Sequence, residues 1–233
     1  MASNVILLLP ELVQTAIVAA LFLLSVGRTA PAGARAGWLP AAAWAGVAAA
    51  GFSLGAQGLL FGEAYRIDGL SQFFKLAVAL GFAIAVLNGS VQPTLEPGKR
   101  SDYFLLLALS ALGLMGLASA VELVTIYLAL ELSSYSLYAL IPMRHRDPRA
   151  AEAGIKYILF GAVATAIALY GFSYILAAQH TTYIAALATK DVAALEKELA
   201  RYNLQEEVQV VTTGCNGFCA NGPIVVVKPE DIF

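Results

Sequence analysis

Six long apolar runs, separated by short stretches of charge, proline and glycine, fill the chain from its start to about residue 180. They lie over 4–26, 38–60, 73–91, 103–121, 123–143 and 155–178. A hydrocarbon core of about 30 Å takes about 20 residues of helix to cross, and a spanning helix satisfies all its backbone groups internally. The pattern therefore predicts a bundle of about six transmembrane helices. Breaks fall at Ala30-Pro31-Ala32-Gly33, at Gln92-Pro93 with Glu96-Pro97-Gly98, and at Arg144 to Arg149 around Pro148, where turn residues end helices. Only the region of Val121 and Glu122 separates the fourth run from the fifth, so these two are expected to form a tight antiparallel pair.

After Gln179 the pattern changes. A stretch at 181–190 reads as a junction, and Lys190 to Glu207 reads as an amphipathic helix with Val192, Leu195 and Leu199 as its apolar stripe. Val208 to Thr213 alternates weakly as a strand, Gly214 to Gly222 is a glycine-rich turn, and Ile224 to Lys228 is a second β-branched strand. The segment 191–233 is thus expected to be about half of a small α/β domain.

Composition strengthens the membrane reading: 59% of the 233 residues are hydrophobic, 13% are charged, and the mean hydropathy is +0.74. No ordinary soluble domain has this balance. The net charge of −2 leaves no electrostatic footprint for nucleic acid. Met1-Ala2-Ser3 carries no basic residue and the first run is long for a signal-peptide core, so it is expected to stay as a helix.

The basic residues set the orientation. Arg28 and Arg35, then Lys99 and Arg100, then Arg144, Arg146 and Arg149 fall in alternate loops, while the loop before the third run has only Arg66 beside Glu63 and Asp68. Short cytoplasmic loops are the ones enriched in Lys and Arg, which places the N-terminus outside.

Ionisable groups inside membrane helices are costly and usually face a bundle interior or a hydrated path. Glu131, near the middle of the fifth run, is the leading candidate, with Ser134 and Tyr135 on its face. It can pass protons, or it can anchor helix packing through interhelical hydrogen bonds. Lys156, about one turn inside the sixth run, can belong to a proton path or snorkel to the interface. Lys75 is expected to snorkel, Glu11 to serve packing or the interface, and Glu122 to be solvated in its turn. His145 and His180 have no partners at metal-ligand spacing. The two cysteines, Cys215 and Cys219, stand together in the tail and raise a local metal or redox question.

These residues carry a resemblance. Leu8-Leu9-Pro10-Glu11-Leu12, Ser101-Asp102-Tyr103-Phe104-Leu105-Leu106-Leu107, Tyr127-Leu128-Ala129-Leu130-Glu131-Leu132 and Glu152-Ala153-Gly154-Ile155-Lys156-Tyr157 resemble subunit N of NADH-quinone oxidoreductase, respiratory complex I, over about 1–180. The resemblance implies an all-α polytopic bundle of the antiporter-like subunit type, lodged in a bacterial-type cell membrane among other complex I membrane subunits. It matches Glu131 to the helix-five glutamate of the family's proton channel and Lys156 to its helix-six lysine. NADH, FMN and quinone are held by other subunits of such a complex. The family fold has about fourteen helices in two inverted repeats, and its channel is completed by lysines on helices beyond the sixth, so this chain is not expected to hold a complete proton path.

The tail resembles something else. Val210-Val211-Thr212-Thr213-Gly214-Cys215-Asn216-Gly217-Phe218-Cys219, with Gly222-Pro223-Ile224-Val225-Val226-Val227, is similar to the thioredoxin-like [2Fe-2S] domain that opens another subunit of complex I and related hydrogenase subunits. It would form a partial ferredoxin-like α/β segment over 191–233. The resemblance implies Cys215 and Cys219 as two of four thiolate ligands; the earlier pair is missing. The predicted orientation also delivers this tail to the outer face, whereas the domain it resembles works on the cytoplasmic side. The chain is accordingly expected to be an assembled join of two pieces, with a membrane-anchored iron-sulfur carrier or a non-functional fused fragment as the alternatives to a role in proton translocation.

Overall fold

The structure, a computed structural model, describes residues 2–26, 37–89, 99–143 and 148–201. Cys215, Cys219 and both expected tail strands lie outside the described residues, as do Arg28, Arg35, Arg144, His145 and Arg146. The chain divides into two compact units, Met1–Ala186 and Leu187–Phe233.

The first unit opens with α1 (Ala2–Leu7) and α2 (Leu9–Val26), parted by a turn at Leu8. Pro10 accounts for the break in the first apolar run, because its ring cannot donate to the preceding turn and clashes with it. Next come α3 (Leu39–Phe52), a hairpin of β1 (Gly58–Leu60) and β2 (Tyr65–Ile67), and α4 (Gly69–Gly89). The bundle continues with α5 (Arg100–Ser119), α6 (Leu123–Leu140) and α7 (Pro148–Gln179), and α8 (Ile184–Arg201) carries the chain into the second unit. Among the described residues, five helices, α2, α4, α5, α6 and α7, are long and apolar enough to cross a membrane. The architecture is a polytopic helical bundle with one small antiparallel sheet.

The helix expected over 38–60 stops at Phe52, and 58–60 forms a strand instead. Its end is fixed by Ser53, fully buried, whose Oγ donates to the Ala50 carbonyl and to Gln72 Oε1 on α4. Conversely, α4 begins at Gly69, four residues before the apolar run suggested. Asp68 caps it: Asp68 Oδ1 accepts from the Ser71 amide at 2.8 Å, while Ser71 Oγ accepts from the Asp68 amide at 2.9 Å. This reciprocal arrangement satisfies otherwise orphaned amides at the helix start. The last membrane helix likewise begins early, at Pro148, and α7 reaches 32 residues.

The core lies among α2, α3, α4 and α5, where Ile17, Leu21, Leu39, Phe82, Val86 and Phe104 are buried together. The α6 helix packs along α5 through small residues: Ser110 Oγ and Ser133 Oγ are 3.0 Å apart, and Gly113 meets the backbone of α6. Close approach through small residues is how membrane helices gain packing without a hydrophobic drive between them. In contrast, beyond the buried Gly154, α7 shields only a narrow stripe, Gly161, Thr165, Ala168, Phe172, Ile175 and Gln179, at alternating spacings of four and three. Phe160, Ile167 and Tyr170 point away from it and are exposed.

At one end of the bundle, three extended pieces lie side by side. Residues 120–122 pair with the hairpin through Tyr65 and Ala120, and with the segment after α7 through Glu122 and Tyr183. The Leu123 amide donates to the Thr182 carbonyl, the Ile184 amide to the Val121 carbonyl, and Tyr183 Oη to the Gly62 carbonyl. The stretch read as a junction is knit to the bundle as far as Ile184.

Glu122 is buried, not solvated, because it caps α6: its Oε2 accepts from the amide and the hydroxyl of Thr125, both at 2.8 Å. Burial alone would raise its pKa, but hydrogen bonds from Thr182 and Thr125 outweigh burial and hold it below the usual carboxylate range. A depressed pKa contributes stability that is present above the unfolded value and lost as pH falls through the folded one. Glu122→Ala is therefore expected to cost about 1 kcal/mol at neutral pH. That difference should vanish in acid, as read by unfolding the two proteins in detergent micelles at both pH values.

Candidate functional site

Two polar clusters interrupt the apolar bundle. The first is Glu131, at the midpoint of α6. Its Oε1 accepts from Thr165 Oγ1 of α7 at 2.7 Å, and its Oε2 is buried with no partner among the described residues. The helical stripe on α7 explains the contact, since Thr165 is the polar member at mid-helix of a row whose other polar residue, Gln179, lies at the helix end. A carboxyl tied by one oxygen and open at the other has a free acceptor in a medium where unpaired acceptors are expensive.

Lys156 does not join it. Its Nζ stands 2.5 Å from Glu152 Oε1, one turn back on the same helix, and both side chains are 64% exposed. Thr165 lies nine residues further along α7, so Glu131 and Lys156 are separated by about 13 Å along the helix axis. The structure thus pairs the two sequence candidates with other residues and not with each other.

The second cluster was not foreseen. Lys75 on α4 does not snorkel; it is fully buried, with Nζ 2.6 Å from Glu11 Oε1 on α2 and 5.1 Å from the centre of the Tyr65 ring. Glu11, 12% exposed, also accepts from Tyr65 Oη at 2.6 Å. Tyr65 Oη in addition lies 3.3 Å from the Met115 carbonyl of α5. Burial, then the negative charge of Glu11, push the Tyr65 phenol well above its ordinary range, so it remains a donor at all physiological pH values. One turn further along α2, Gln14 Nε2 donates to the Ala108 carbonyl at 3.0 Å.

The signal for this cluster was present in the cap. Counting from Phe73, Lys75 falls at a helix end; counting from Asp68, it lies about 10 Å down the helix, where a lysine needs a counter-charge. Among the described residues, no group of three or more His, Cys, Asp and Glu is placed to hold a metal ion.

The multi-pass bundle has the fold of the antiporter-like membrane subunits of respiratory complex I, as a family match and a solved complex I together show. Residues 120–210 match the family described as NADH:quinone oxidoreductase/Mrp antiporter, TM. Among curated proteins the chain is similar to NADH-quinone oxidoreductase subunit N 2 of Solidesulfovibrio magneticus, 61% identical over 183 residues, covering 78% of this chain and 38% of the relative. The protein of the same name from Opitutus terrae is 36% identical over 197 residues, covering 82% and 40%. Among solved structures, respiratory complex I from Thermus thermophilus with bound aureothin aligns with a TM-score of 0.61 at 29% identity, over 75% of this chain and 38% of that one. The archaeal membrane-bound sulfane sulfur reductase shares the fold, with a TM-score of 0.66 at 20% identity, over 81% and 39%. The chain spans about two fifths of the length of these relatives. The family match also crosses 181–190 and continues to residue 210.

Proposed function

We propose that this chain is part of a subunit N-type proton-translocating membrane subunit of NADH-quinone oxidoreductase, in which Glu131 carries protons. It sits in a bacterial cell membrane with its N-terminus outside, beside other complex I membrane subunits that meet the exposed apolar faces of α7. The observation that carries this reading is the geometry of Glu131: mid-span, held at one oxygen by Thr165 and open at the other. Lys156 belongs to the entrance of the path, where its pairing with Glu152 can open and close at little cost because both are exposed.

The test uses a full-length relative that carries this region, with Glu131→Gln, and measures proton pumping in sealed vesicles. Pumping is expected to fall by tenfold or more, on the order of the loss when a positioned acid-base group is removed. Unchanged pumping removes Glu131 from the path.

For the tail, our reading is a partial segment of the thioredoxin-like [2Fe-2S] type, whose Cys215 and Cys219 match two of the four thiolates that such a cluster takes, an incomplete ligand set, so no cofactor is expected in this chain. The purified chain is expected to be colourless and free of iron. A coloured preparation with iron and sulfide bound would favour an electron carrier instead.

A further inference from the structure

We propose that Glu11, Tyr65 and Lys75 form a second proton-exchange site, fed by water from the hairpin end of the bundle and independent of Glu131. Two buried polar atoms on the residues that build it, Glu11 Oε2 and Gln72 Nε2, have no hydrogen-bond partner among the described residues, while Lys75 Nζ meets Glu11 and Ser119 meets Tyr65. Lys75 and Gln72 are fully buried and Ser119 nearly so. Gln72 lies one turn before Lys75 on α4, and Ser119 faces Tyr65 from the end of α5. Lys75 has its charge balanced by Glu11, 2.6 Å away, and its ammonium hydrogens outnumber the acceptors that the described residues bring to it. Unpaired donors and acceptors set together in an apolar interior are the setting in which buried water is held.

The charged and titratable groups around the site are few: Glu11 from α2, Tyr65 from β2, Lys75 from α4, and Asp68 at the start of α4 with Arg66 of β2 paired to it at 3.6 Å. From α5 it receives only the Met115 carbonyl and Ser119. Asp68 stands at the mouth, with its side chain 40% exposed. Tyr65 stays protonated and donates to Glu11, so the exchangeable protons belong to the other two groups. Lys75 gives a proton through water to Glu11, leaving a neutral amine and a carboxylic acid. Water at the Asp68 mouth then returns a proton to the amine, and the carboxylic acid releases its own. One proton enters and one leaves in each cycle, and both groups regain their charges.

The experiment places the 233-residue chain in nanodiscs of phosphatidylcholine and phosphatidylglycerol. It records infrared spectra through a pH titration in water and in heavy water. A protonated-carboxyl band that grows on mild acidification and shifts in heavy water is expected. It should be absent from Glu11→Gln and kept in Glu131→Gln, so the outcome does not depend on the role of Glu131. Lys75→Met should move the appearance of the band toward higher pH than in the wild type, because Glu11 has lost its counter-charge. If Glu11→Gln does not fold, the neutral pair Glu11→Gln with Lys75→Met supplies the band-free baseline. A folded wild-type chain with no Glu11-dependent band, or a band that heavy water does not shift, overturns the proposal and leaves a fixed structural ion pair.

Discussion

Lys75→Met is expected to destabilise the bundle by about 3–5 kcal/mol, the usual range for breaking a buried ion pair from one side. The cost comes mainly from what is left behind. Glu11 keeps the donor hydrogen of Tyr65 but loses the ammonium 2.6 Å away, in a site where Lys75 is fully buried. Glu11→Gln should cost a comparable amount by stranding the lysine. Changing both together removes the charges as a pair and should recover most of the loss, since well-packed neutral replacements of a buried pair are often nearly neutral. Unfolding of the four proteins in mixed detergent micelles gives the cycle directly, and strict additivity of the two single changes would show that the residues do not act as a pair.

That prediction needs the true start of α4, which apolar length alone does not give, and the reason is local. Apolar length was enough to find the membrane helices, because hydrocarbon thickness dictates it. It was not enough to place their ends, which are set by side chains that replace missing backbone partners. Asp68 and Ser71 start α4 four residues before the apolar run, and Ser53 stops α3 within a stretch that is still apolar. Moving the start of α4 turns Lys75 from a lysine near an interface into a buried one. It then needs an acid, and Glu11, just after the proline break in the first apolar run, is the residue that meets it.

Glu131 was legible for the opposite reason: a carboxyl at the centre of a long apolar run stays near mid-membrane under any small shift of the ends. Tyr135 on its own face does interact with it, but its partner across the helices was not legible, since that hydrogen bond comes from Thr165 on the next helix. Sequence spacing reports neighbours within one helix. Which row of α7 faces α6 depends on the packing of small residues between the helices, and no periodicity in α6 encodes it. The same limit applies to Glu122, whose place beside a turn suggests solvent until the chain returns after α7 and covers it with Thr182 and Tyr183.

The packing of α6 on α5 depends on one hydrogen atom, and Gly113→Val is expected to cost about 3 kcal/mol, the upper part of the range for overfilling a packed interior. A methyl carbon added at Gly113 would lie 2.6 Å from the Ser133 amide nitrogen and 2.8 Å from the Ala129 carbonyl oxygen. Both are backbone atoms within a helix, so neither can turn aside. The helices must separate, which also stretches the contact between Ser110 and Ser133 and alters the seat of α6, the helix that bears Glu131. Two other glycines provide the comparison. At Gly116 an added carbon meets only Ala129 Cβ at 3.6 Å, an ordinary contact, so Gly116→Ala should be neutral or slightly stabilising through helix propensity. At Gly161 the obstacle is the hydroxyl end of Tyr138, a side chain able to swing at the expense of its edge contact with Tyr157. The expected order of loss is Gly113→Val, then Gly161→Ala, then Gly116→Ala, measured by unfolding in mixed micelles. A Gly113→Val chain as stable as the wild type would mean that α5 and α6 do not approach as closely as this structure places them.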